Sequence, residues 1–331
     1  MSTPDDTPIP ATGDTCILVV GMHRSGTSAT CGLLCQLGLN GPRSEVRLRP
    51  HQVNEKGFFE AKILNRFDER LLVNLGGRWD APPPLEPGWQ DDVSLAPFKT
   101  EAVELFAKAF GPRPIAWKDP RASVLLPFWL ELLDQPLAAV FVYRDPYEVA
   151  SSLRSRDKLP ITHGFASWER HVRMSARDLD GIPTFCMSYG SLLENIEERT
   201  TELVKFLEDV GVKVDPAQTR GADDFLDSNL RHQRARRDPS DIPPSVVRLD
   251  SALEALQGAH HPWKWPGLGP EPEWVQDVLS VWGELQKTKK ENAELYNARP
   301  MRMARSLDNL TKKRKPNSSS TAANRAASDP S

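Results

Sequence analysis

The chain has 331 residues, of which 39% are hydrophobic, and a formal net charge of −3. This length and apolar fraction suffice for one large α/β domain or two small ones. The small net charge makes no case for nucleic acid or an acidic membrane as the main partner. Residues 1–14 lack the positive and apolar regions of a signal peptide. No run elsewhere reaches the roughly 18 apolar residues that a transmembrane helix requires.

The four cysteines, Cys16, Cys31, Cys35 and Cys186, fall on predicted strands or helices. Cys31 and Cys35 are one helical turn apart, but two thiols alone lack the remaining ligands of a zinc site. We therefore expect free thiols in a reducing cytoplasm, and we expect no metal site.

The first ordered segment is a short strand followed by a polar turn and a helix. The apolar run Ile17–Val20 predicts a buried parallel strand, which ends at Gly21. A polar turn covers residues 24–28, and the small apolar residues 29–37 predict a helix. Such a unit directs backbone N–H groups and the positive end of a helix dipole at an anion. The spacing Gly21-x4-Gly26 is that of a phosphate-binding loop, but Thr27 stands where nucleotide-hydrolysing loops have Lys.

Loop and helix segments separate this unit from the next strand. Residues 41–59 are polar and basic without a clear period, which indicates a loop. Apolar residues then recur at helical spacing from Glu60 to Leu75, and Gly76-Gly77 ends that helix. The proline-rich segment 79–89 predicts a surface loop or lid, and residues 102–110 predict a further helix.

Strands and helices then alternate along the chain. Strands are predicted at 114–117, 138–143 and 184–188, and helices at 122–133, 147–156, 165–179 and 189–210. This alternation predicts a P-loop-type three-layer α/β/α fold with a central parallel sheet. Because ligands bind beyond the carboxyl ends of parallel strands, the candidate site should contain the strand-end residues Arg24, Lys118, Arg144 and Tyr189.

Beyond about residue 215 the pattern weakens. The basic segment 231–237 is either a loop folding over an anionic ligand or a solvated run of charge. A final helix is predicted at 273–297. We expect a disordered leader at 1–14 and a disordered basic tail at 298–331. Between them, one domain would cover 15–297, with its motifs in 16–210 and a helical part at 211–297.

Four blocks stand at the strand ends: Gly21-Met-His-Arg-Ser-Gly-Thr-Ser28, Lys118-Asp-Pro120, Tyr143-Arg-Asp-Pro-Tyr-Glu-Val-Ala-Ser-Ser152 with Arg156, and Ser188-Tyr189 with Leu192-Leu193. Together they resemble the sulfotransferases that use 3'-phosphoadenosine 5'-phosphosulfate (PAPS). The first block is similar to the 5'-phosphosulfate loop of bacterial members. The second is similar to a turn of the tyrosylprotein sulfotransferase branch, and the last two are similar to the 3'-phosphate site.

The resemblance implies PAPS as the cofactor and assigns residues to it. The 5'-phosphosulfate would meet Arg24, Ser25, Gly26, Thr27 and Ser28, and the 3'-phosphate would meet Arg144, Ser152, Arg156 and Tyr189. Guanidinium groups and a hydroxyl suit a doubly anionic phosphate. Arg24 and Lys118 would supply the positive charge that sulfuryl transfer needs at the leaving oxygen. The acceptor would be a hydroxyl or amine of a carbohydrate, lipid, peptide or small molecule.

A general base must take the proton of the acceptor. The cytosolic branch has a His two residues after the strand-end Lys, where this chain has Pro120. The tyrosylprotein and heparan branches use a Glu downstream of the loop helix, so the resemblance implies Glu60 as the base. One alternative for Glu60 is a carboxylate placed at a helix N-terminus for the dipole. Alternative bases are His51, His23 and His163.

Two other functions fit part of the pattern. A P-loop kinase or nucleotide phosphotransferase with ATP and magnesium would use Asp119 or Asp145 and a loop hydroxyl as metal ligands. The missing Lys after Gly26 speaks against this interpretation. A non-catalytic nucleotide-binding module would keep the loop but would have no use for Lys118 and Glu60. The sequence leaves the oligomeric state open.

Overall fold

The structure is a computed structural model that describes most of the chain between Thr12 and Lys312. The described residues are 12–48, 59–133, 136–215, 217–218, 226, 242–265, 267 and 269–312, with side chains up to residue 295. Predictions for residues 1–11, His51, the segment 231–237 and residues 313–331 lie outside them. The chain divides into two compact units, 1–283 and 284–331. The sheet and every described candidate site residue belong to the first unit.

A five-stranded sheet forms the centre of the first unit. Its strands are β1 (Cys16–Val20), β2 (Ile115–Lys118), β3 (Leu137–Tyr143), β4 (Thr184–Ser188) and β5 (Gly258–His260). They lie in the order β2-β1-β3-β4-β5. Strands β1 to β4 are parallel to one another, and β5 is antiparallel to β4. The predicted parallel sheet is confirmed, with one antiparallel edge strand in addition.

The register of the sheet places the ends of the parallel strands side by side. Val19 of β1 pairs with Lys118 of β2, and Tyr143 of β3 pairs with Ser188 of β4. Strands β1 and β3 lie next to each other in the middle of this row. The segments that follow β1, β2, β3 and β4 therefore open onto one edge of the sheet, where a ligand is expected in this fold class.

Helices follow most of the strands. They are α1 (Thr27–Gln36), α2 (Lys62–Asn74), α3 (Ala96–Ala109), α4 (Leu126–Leu132), α5 (Pro146–Asp157), α6 (Ile161–Asp178), α7 (Tyr189–Glu194), α8 (Ile196–Asp209), α9 (Pro244–Glu254) and α10 (Glu273–Lys312). Among the described residues, none of these helices combines the length and the apolar character needed to cross a membrane.

Both faces of the sheet are covered by helices. Successive side chains of a strand point to opposite faces, and β1 shows this directly. Leu18 belongs to one apolar core together with Phe67 of α2. Val19 belongs to the other core together with Leu33 of α1 and Leu203 of α8. The predicted three-layer α/β/α fold is confirmed. All four cysteines are free thiols, as predicted.

Several element boundaries differ from the predicted ones. The predicted helix 189–210 is two helices, because Asn195 leaves the helical conformation with φ −137° and ψ 55°. Helix α2 begins at Lys62, which leaves Glu60 in the preceding loop. Helix α9 lies within the predicted helical part 211–297, for which the sequence analysis gave no individual bounds before residue 273, and β5, a strand of only 3 residues, was not predicted. Helix α10 continues past the predicted end at Asn297 to Lys312, through a stretch with several helix-favouring Arg, Ala, Met and Leu residues.

The beginning of the proline-rich segment 79–89 packs into the core. The Asp80 carbonyl oxygen lies 2.6 Å from His163 Nε2, and its carboxylate accepts from Trp282 Nε1 at 2.9 Å. Arg170 Nη1 donates to the carbonyl oxygen of Pro82 at 2.7 Å. The bonds to the carbonyl oxygens of Asp80 and Pro82 satisfy backbone groups that have no helix or strand partner. The predicted surface loop is therefore anchored to α6 at this end.

Candidate active site

Two glycines shape the loop between β1 and α1. Gly21 has φ 152°, and a Cβ atom there would lie 2.2 Å from the carbonyl oxygen of Val142 in β3. Gly26 has φ 92°, and a Cβ atom there would lie 2.2 Å from the ring of Tyr189. Only glycine tolerates these conformations and close approaches together. The loop is therefore packed directly against the ends of β3 and β4.

The loop leads straight into the N-terminus of α1. Gly21 N donates to Ser123 Oγ at 3.0 Å, and Ser123 Oγ donates back to the Gly21 carbonyl oxygen at 3.2 Å. Helix α1 begins at Thr27, directly after Gly26, without a side-chain cap in the described part of the chain. The first amides of a helix have no acceptor within it. Together with the helix dipole they give this end of α1 a partial positive charge, as the predicted anion cradle requires.

Two buried polar atoms at this place have no hydrogen-bond partner among the described residues. They are Ser25 Oγ and Arg144 Nη2, in residues that are 1% and 6% exposed. A buried polar group without a partner costs about 1–3 kcal/mol. A hydroxyl and a guanidinium group are both good donors to phosphate or sulfate oxygens. The two atoms therefore fit a bound anion.

Arg24 joins the loop to the residues that follow β3. Its Nε donates to Ser152 Oγ at 2.8 Å, and its backbone oxygen accepts from Arg144 Nη1 at 3.2 Å. Burial, followed by the nearby charges of Arg156 and Arg144, lowers the pKa of Arg24 to about 10. Arg24 also has φ 72°, which is uncommon for a residue other than glycine. The structure thus gathers Arg24, Arg144, Ser152 and Arg156, here called the guanidinium cluster.

Positive charge exceeds negative charge in the guanidinium cluster. Arg144 Nε donates to Glu148 at 2.8 Å, and Arg156 Nε donates to Asp157 at 2.8 Å. Two carboxylates thus accompany three guanidinium groups. The guanidinium of Arg144 also lies 5.4 Å from the ring centroid of Tyr189, which is a cation–π distance. The remaining positive charge favours an anionic ligand.

A second group of polar residues lies around the end of β2. Lys118 Nζ contacts Glu60 Oε1 in an ion pair whose side chains are 2% and 9% exposed. Asn65 Nδ2 donates to Glu60 Oε2 at 2.6 Å and to Asp119 Oδ2 at 3.1 Å. We call Glu60, Asn65, Lys118 and Asp119 the carboxylate–lysine group. The structure therefore brings two residues predicted to be catalytic, Glu60 and Lys118, into direct contact.

Glu60 is held by the loop before α2 and does not cap the helix. Leu48 N donates to the Glu60 carbonyl oxygen at 2.8 Å. The N-cap residue is Ala61, and no side chain among the described residues caps α2. The Glu60 carboxylate is instead divided between Lys118 and Asn65. Its described contacts are thus with Lys118 and Asn65, and none of them is a capping bond to α2.

Two buried aspartates lie behind the carboxylate–lysine group. Asp119 Oδ1 accepts from the backbone N–H of Arg121 at 2.9 Å, and Asp68 Oδ1 accepts from Trp129 Nε1 at 3.0 Å. Burial, followed by the charge of Asp119, holds the pKa of Asp68 well above its ordinary value. Burial also raises the pKa of Asp119. Like charges in a buried site favour a state in which one carboxyl keeps its proton.

The structure describes two of the three histidines predicted as alternative bases. His163 contacts the Asp80 carbonyl oxygen and so anchors the segment 79–89. His23 lies in the loop, with its ring 4.9 Å from the ring of Trp79 in an edge-on arrangement. Burial, followed by the charge of Arg121, lowers the pKa of His23 well below its ordinary value. The lowered pKa favours the neutral form of the His23 imidazole in the loop. The described hydrogen bond of His163 is to the backbone of the segment 79–89.

Both carboxylates that a magnesium-dependent kinase would use, Asp119 and Asp145, accept hydrogen bonds from other residues of the chain. Asp145 Oδ1 caps α5 by accepting from the backbone N–H groups of Tyr147 at 2.8 Å and Glu148 at 3.0 Å. Asp119 accepts from the backbone N–H of Arg121 and from the side-chain amide of Asn65. In the part of the chain that the structure describes, no three His, Cys, Asp or Glu side chains are grouped to hold a metal ion.

The sequence analysis missed Asn65, Asp68, Ser123 and Glu148. Asp68 carried a signal, since it is a carboxylate on the apolar face of the predicted helix 60–75. Glu148 also carried one, because it follows Arg144 at the helical spacing of an ion pair. Asn65 and Ser123 carried none, because their partners come from distant parts of the chain.

No protein-family model and no curated protein sequence matches the chain. Solved structures that are similar to it include the following three. A sulfotransferase domain from the curacin biosynthetic pathway is 14% identical over 75% of this chain and 99% of its own, with a TM-score of 0.46. A sulfotransferase domain from the Synechococcus PCC 7002 olefin synthase is 17% identical over 83% and 97%, with a TM-score of 0.39. The sulfotransferase STF9 from Mycobacterium avium is 15% identical over 74% and 76%, with a TM-score of 0.41. Similarities this distant establish neither a family nor an activity for this chain.

Proposed function

We propose that the chain transfers a sulfuryl group from PAPS to a hydroxyl or amine of an acceptor. One observation carries the proposal: Arg24 of the loop bonds with Ser152 and Arg144 of the guanidinium cluster. On this proposal, two anion sites, the loop and the guanidinium cluster, would lie side by side at one edge of the sheet. PAPS has the matching form, with a 5'-phosphosulfate and a 3'-phosphate on one nucleoside.

The residues present fit the two ends of this nucleotide. The loop would hold the 5'-phosphosulfate through Ser25, Gly26, Thr27 and Ser28. The buried hydroxyl of Ser25, without a partner among the described residues, supports this assignment. The guanidinium cluster would hold the 3'-phosphate, which the likewise unpaired Nη2 of Arg144 supports. Tyr189 packs against Gly26 and Arg144 and would form a wall common to both ends.

The carboxylate–lysine group would carry the chemistry. Bound PAPS supplies an activated sulfuryl group, whose transfer needs positioning and positive charge more than covalent help from the protein. Lys118 provides a buried positive charge at the end of β2. Glu60, which pairs with Lys118, would take the proton of the acceptor. Arg24 would add positive charge from the loop.

Ligand-induced stabilisation tests the binding part of the proposal. Adenosine 3',5'-bisphosphate without magnesium should raise the Tm, because a ligand that binds only the folded state stabilises it. Arg144→Ala should weaken the affinity about 10- to 100-fold, since hydrogen bonds to charged groups contribute about 1.5–3 kcal/mol. Arg154→Ala, at an exposed position of the helix α5 that follows Arg144, should leave the affinity unchanged. Stabilisation only by ATP with magnesium would contradict the proposal.

Transfer of labelled sulfate tests the catalytic part. The chain is incubated with PAPS labelled in its sulfate and with a panel containing a phenol, a monosaccharide, a peptide and an alkylamine. Label should appear on at least one acceptor. Tight nucleotide binding without transfer to any acceptor would instead support a non-catalytic binding module.

A further inference from the structure

The side-chain amide of Asn65 bridges two buried carboxylates beside the candidate base. Asn65 Nδ2 donates to Glu60 Oε2 at 2.6 Å and to Asp119 Oδ2 at 3.1 Å. Glu60 Oε1 contacts Lys118. Both oxygens of the Glu60 carboxylate therefore have a partner. Bonds to two different oxygens fix the plane of a carboxylate, which a single bond leaves free to rotate.

Asn65 is itself attached to rigid elements. It lies in the first turn of α2, where its backbone N–H donates to the Ala61 carbonyl oxygen at 3.0 Å. Its second partner, Asp119, is fixed by the backbone N–H of Arg121 at 2.9 Å. A donor held by a helix at one side and by a strand end at the other can orient a catalytic group before the reaction begins.

We propose that Asn65 is a positioning residue that orients Glu60 to take the proton of the acceptor. This assignment rests on the proposed function, in which Glu60 is the base. A neutral amide suits the place because it donates to two carboxylates without adding charge. A carboxylate there would repel both of its neighbours. The charged or titratable groups around the bridge are Glu60, Asp68, Lys118, Asp119 and Arg121.

Removal of the amide tests this role. Asn65→Ala should lower kcat about 10- to 100-fold, the scale of a misplaced catalytic group, and should leave the Kd of adenosine 3',5'-bisphosphate unchanged. Asn74→Ala, at the exposed end of the same helix, is the matched control and should change neither quantity. In a Glu60→Gln background, Asn65→Ala should cause little further loss, because the two residues act in one step.

A second variant of nearly the same shape adds a readout that a structural residue would not affect. In Asn65→Asp the new carboxyl can donate to Glu60 only while it is protonated. Once ionised, it repels Glu60 and Asp119. The ratio of its kcat to that of the wild type should therefore fall as the pH rises. A ratio independent of pH would overturn the assignment.

The outcomes separate this inference from the proposed function. If Glu60→Gln loses turnover and Asn65→Ala keeps it, Asn65 has no positioning role, and the proposed function stands. If Glu60→Gln keeps wild-type turnover, Glu60 is not the base, and the role of Asn65 falls with it. A wild-type chain that binds no adenosine 3',5'-bisphosphate and transfers no label would overturn both.

Discussion

The two halves of the candidate site, the guanidinium cluster with its adjoining loop and the carboxylate–lysine group, differ in whether their buried polar groups have hydrogen-bond partners. At the guanidinium cluster, two carboxylates accompany three guanidinium groups. Arg144 Nη2 there, and Ser25 Oγ in the adjoining loop, lack partners among the described residues. In the carboxylate–lysine group, Lys118, Glu60 and Asn65 bond with one another. One half thus has buried donors without a partner among the described residues, and the other half pairs its polar groups with one another.

Under the proposed function, this difference predicts that one half of the site binds the nucleotide and the other half carries the chemistry. Buried donors without partners favour ligand binding, because the ligand restores the missing hydrogen bonds. A preformed ion pair favours reaction, because its charges need little reorganisation when the reaction occurs. Substitutions in the guanidinium cluster should therefore change affinity, and substitutions in the carboxylate–lysine group should change turnover.

The largest expected effect concerns the carboxylate–lysine group. Glu60→Gln should lower kcat about 10²- to 10⁴-fold, because glutamine keeps the shape of the side chain and cannot take a proton. The Kd of adenosine 3',5'-bisphosphate should stay at its wild-type value. Single-turnover transfer of labelled sulfate measures the first quantity, and a binding titration measures the second. A large loss of binding in this variant would show that the two halves are not separable.

The next effect concerns the loop. Gly26→Ala should lower the free energy of unfolding by about 1–3 kcal/mol, because the new Cβ would clash with the ring of Tyr189 at a φ of 92°. Gly76→Ala is the matched control, with φ 81° and nothing within 4 Å of the added atom. Urea unfolding of both variants separates the clash from backbone strain. Equal losses would mean that the Tyr189 ring moves aside without cost.

The next expected effect, ranked by its size per pH unit, depends on pH and concerns Asp68. Its pKa is raised on folding, so the folded state keeps a proton that the unfolded state releases above about pH 4. Stability should therefore fall as the pH rises toward the raised pKa, by at most about 1.4 kcal/mol per pH unit. Asp68→Asn cannot ionise, and its amide oxygen can still accept from Trp129. Urea unfolding should show the variant gaining on the wild type as the pH rises, and parallel curves would contradict this expectation.

The smallest expected effect concerns an ion pair at the surface. Arg70 and Glu101 lie 2.5 Å apart, with side chains 55% and 41% exposed. Arg70→Ala should change the free energy of unfolding by less than about 1 kcal/mol, because water screens exposed charges. Thermal unfolding at low and high salt would measure it. Breaking a buried ion pair typically costs about 3–5 kcal/mol. A loss of that size for Arg70→Ala would contradict the expectation that exposure to water makes this ion pair weak.

The strand-end residues were the predictable part of the site. The apolar runs of β1 and β3 indicate where the strands end, and parallel strands bring their carboxyl ends together. Lys118 and Arg144 could therefore be placed at one edge from the sequence alone. The direction of the Arg24 side chain could not be predicted from the sequence. Its bond to Ser152 crosses 128 residues of chain and depends on how α5 packs beside the loop.

Other features could not be predicted for reasons of geometry or length. Asn65 and Asp119 are 54 residues apart, and only the packing of α2 against the end of β2 joins them. Strand β5 has 3 residues, too few for an alternating pattern. Helix α9, by contrast, buries Val246, Leu249 and Leu253 at helical spacing, so its signal was present and was overlooked.

The contact between Gly26 and Tyr189 also limits how the chain can change over generations. A larger side chain at position 26 meets the ring of Tyr189. Loss of that ring first would remove the aromatic face beside the guanidinium group of Arg144. Each single change is expected to carry a cost, and the φ of 92° at Gly26 would still disfavour a larger side chain after loss of the ring, so descendants of this chain should keep both residues. The loop and the start of α7 would thus be inherited as one unit, although they lie far apart in the sequence.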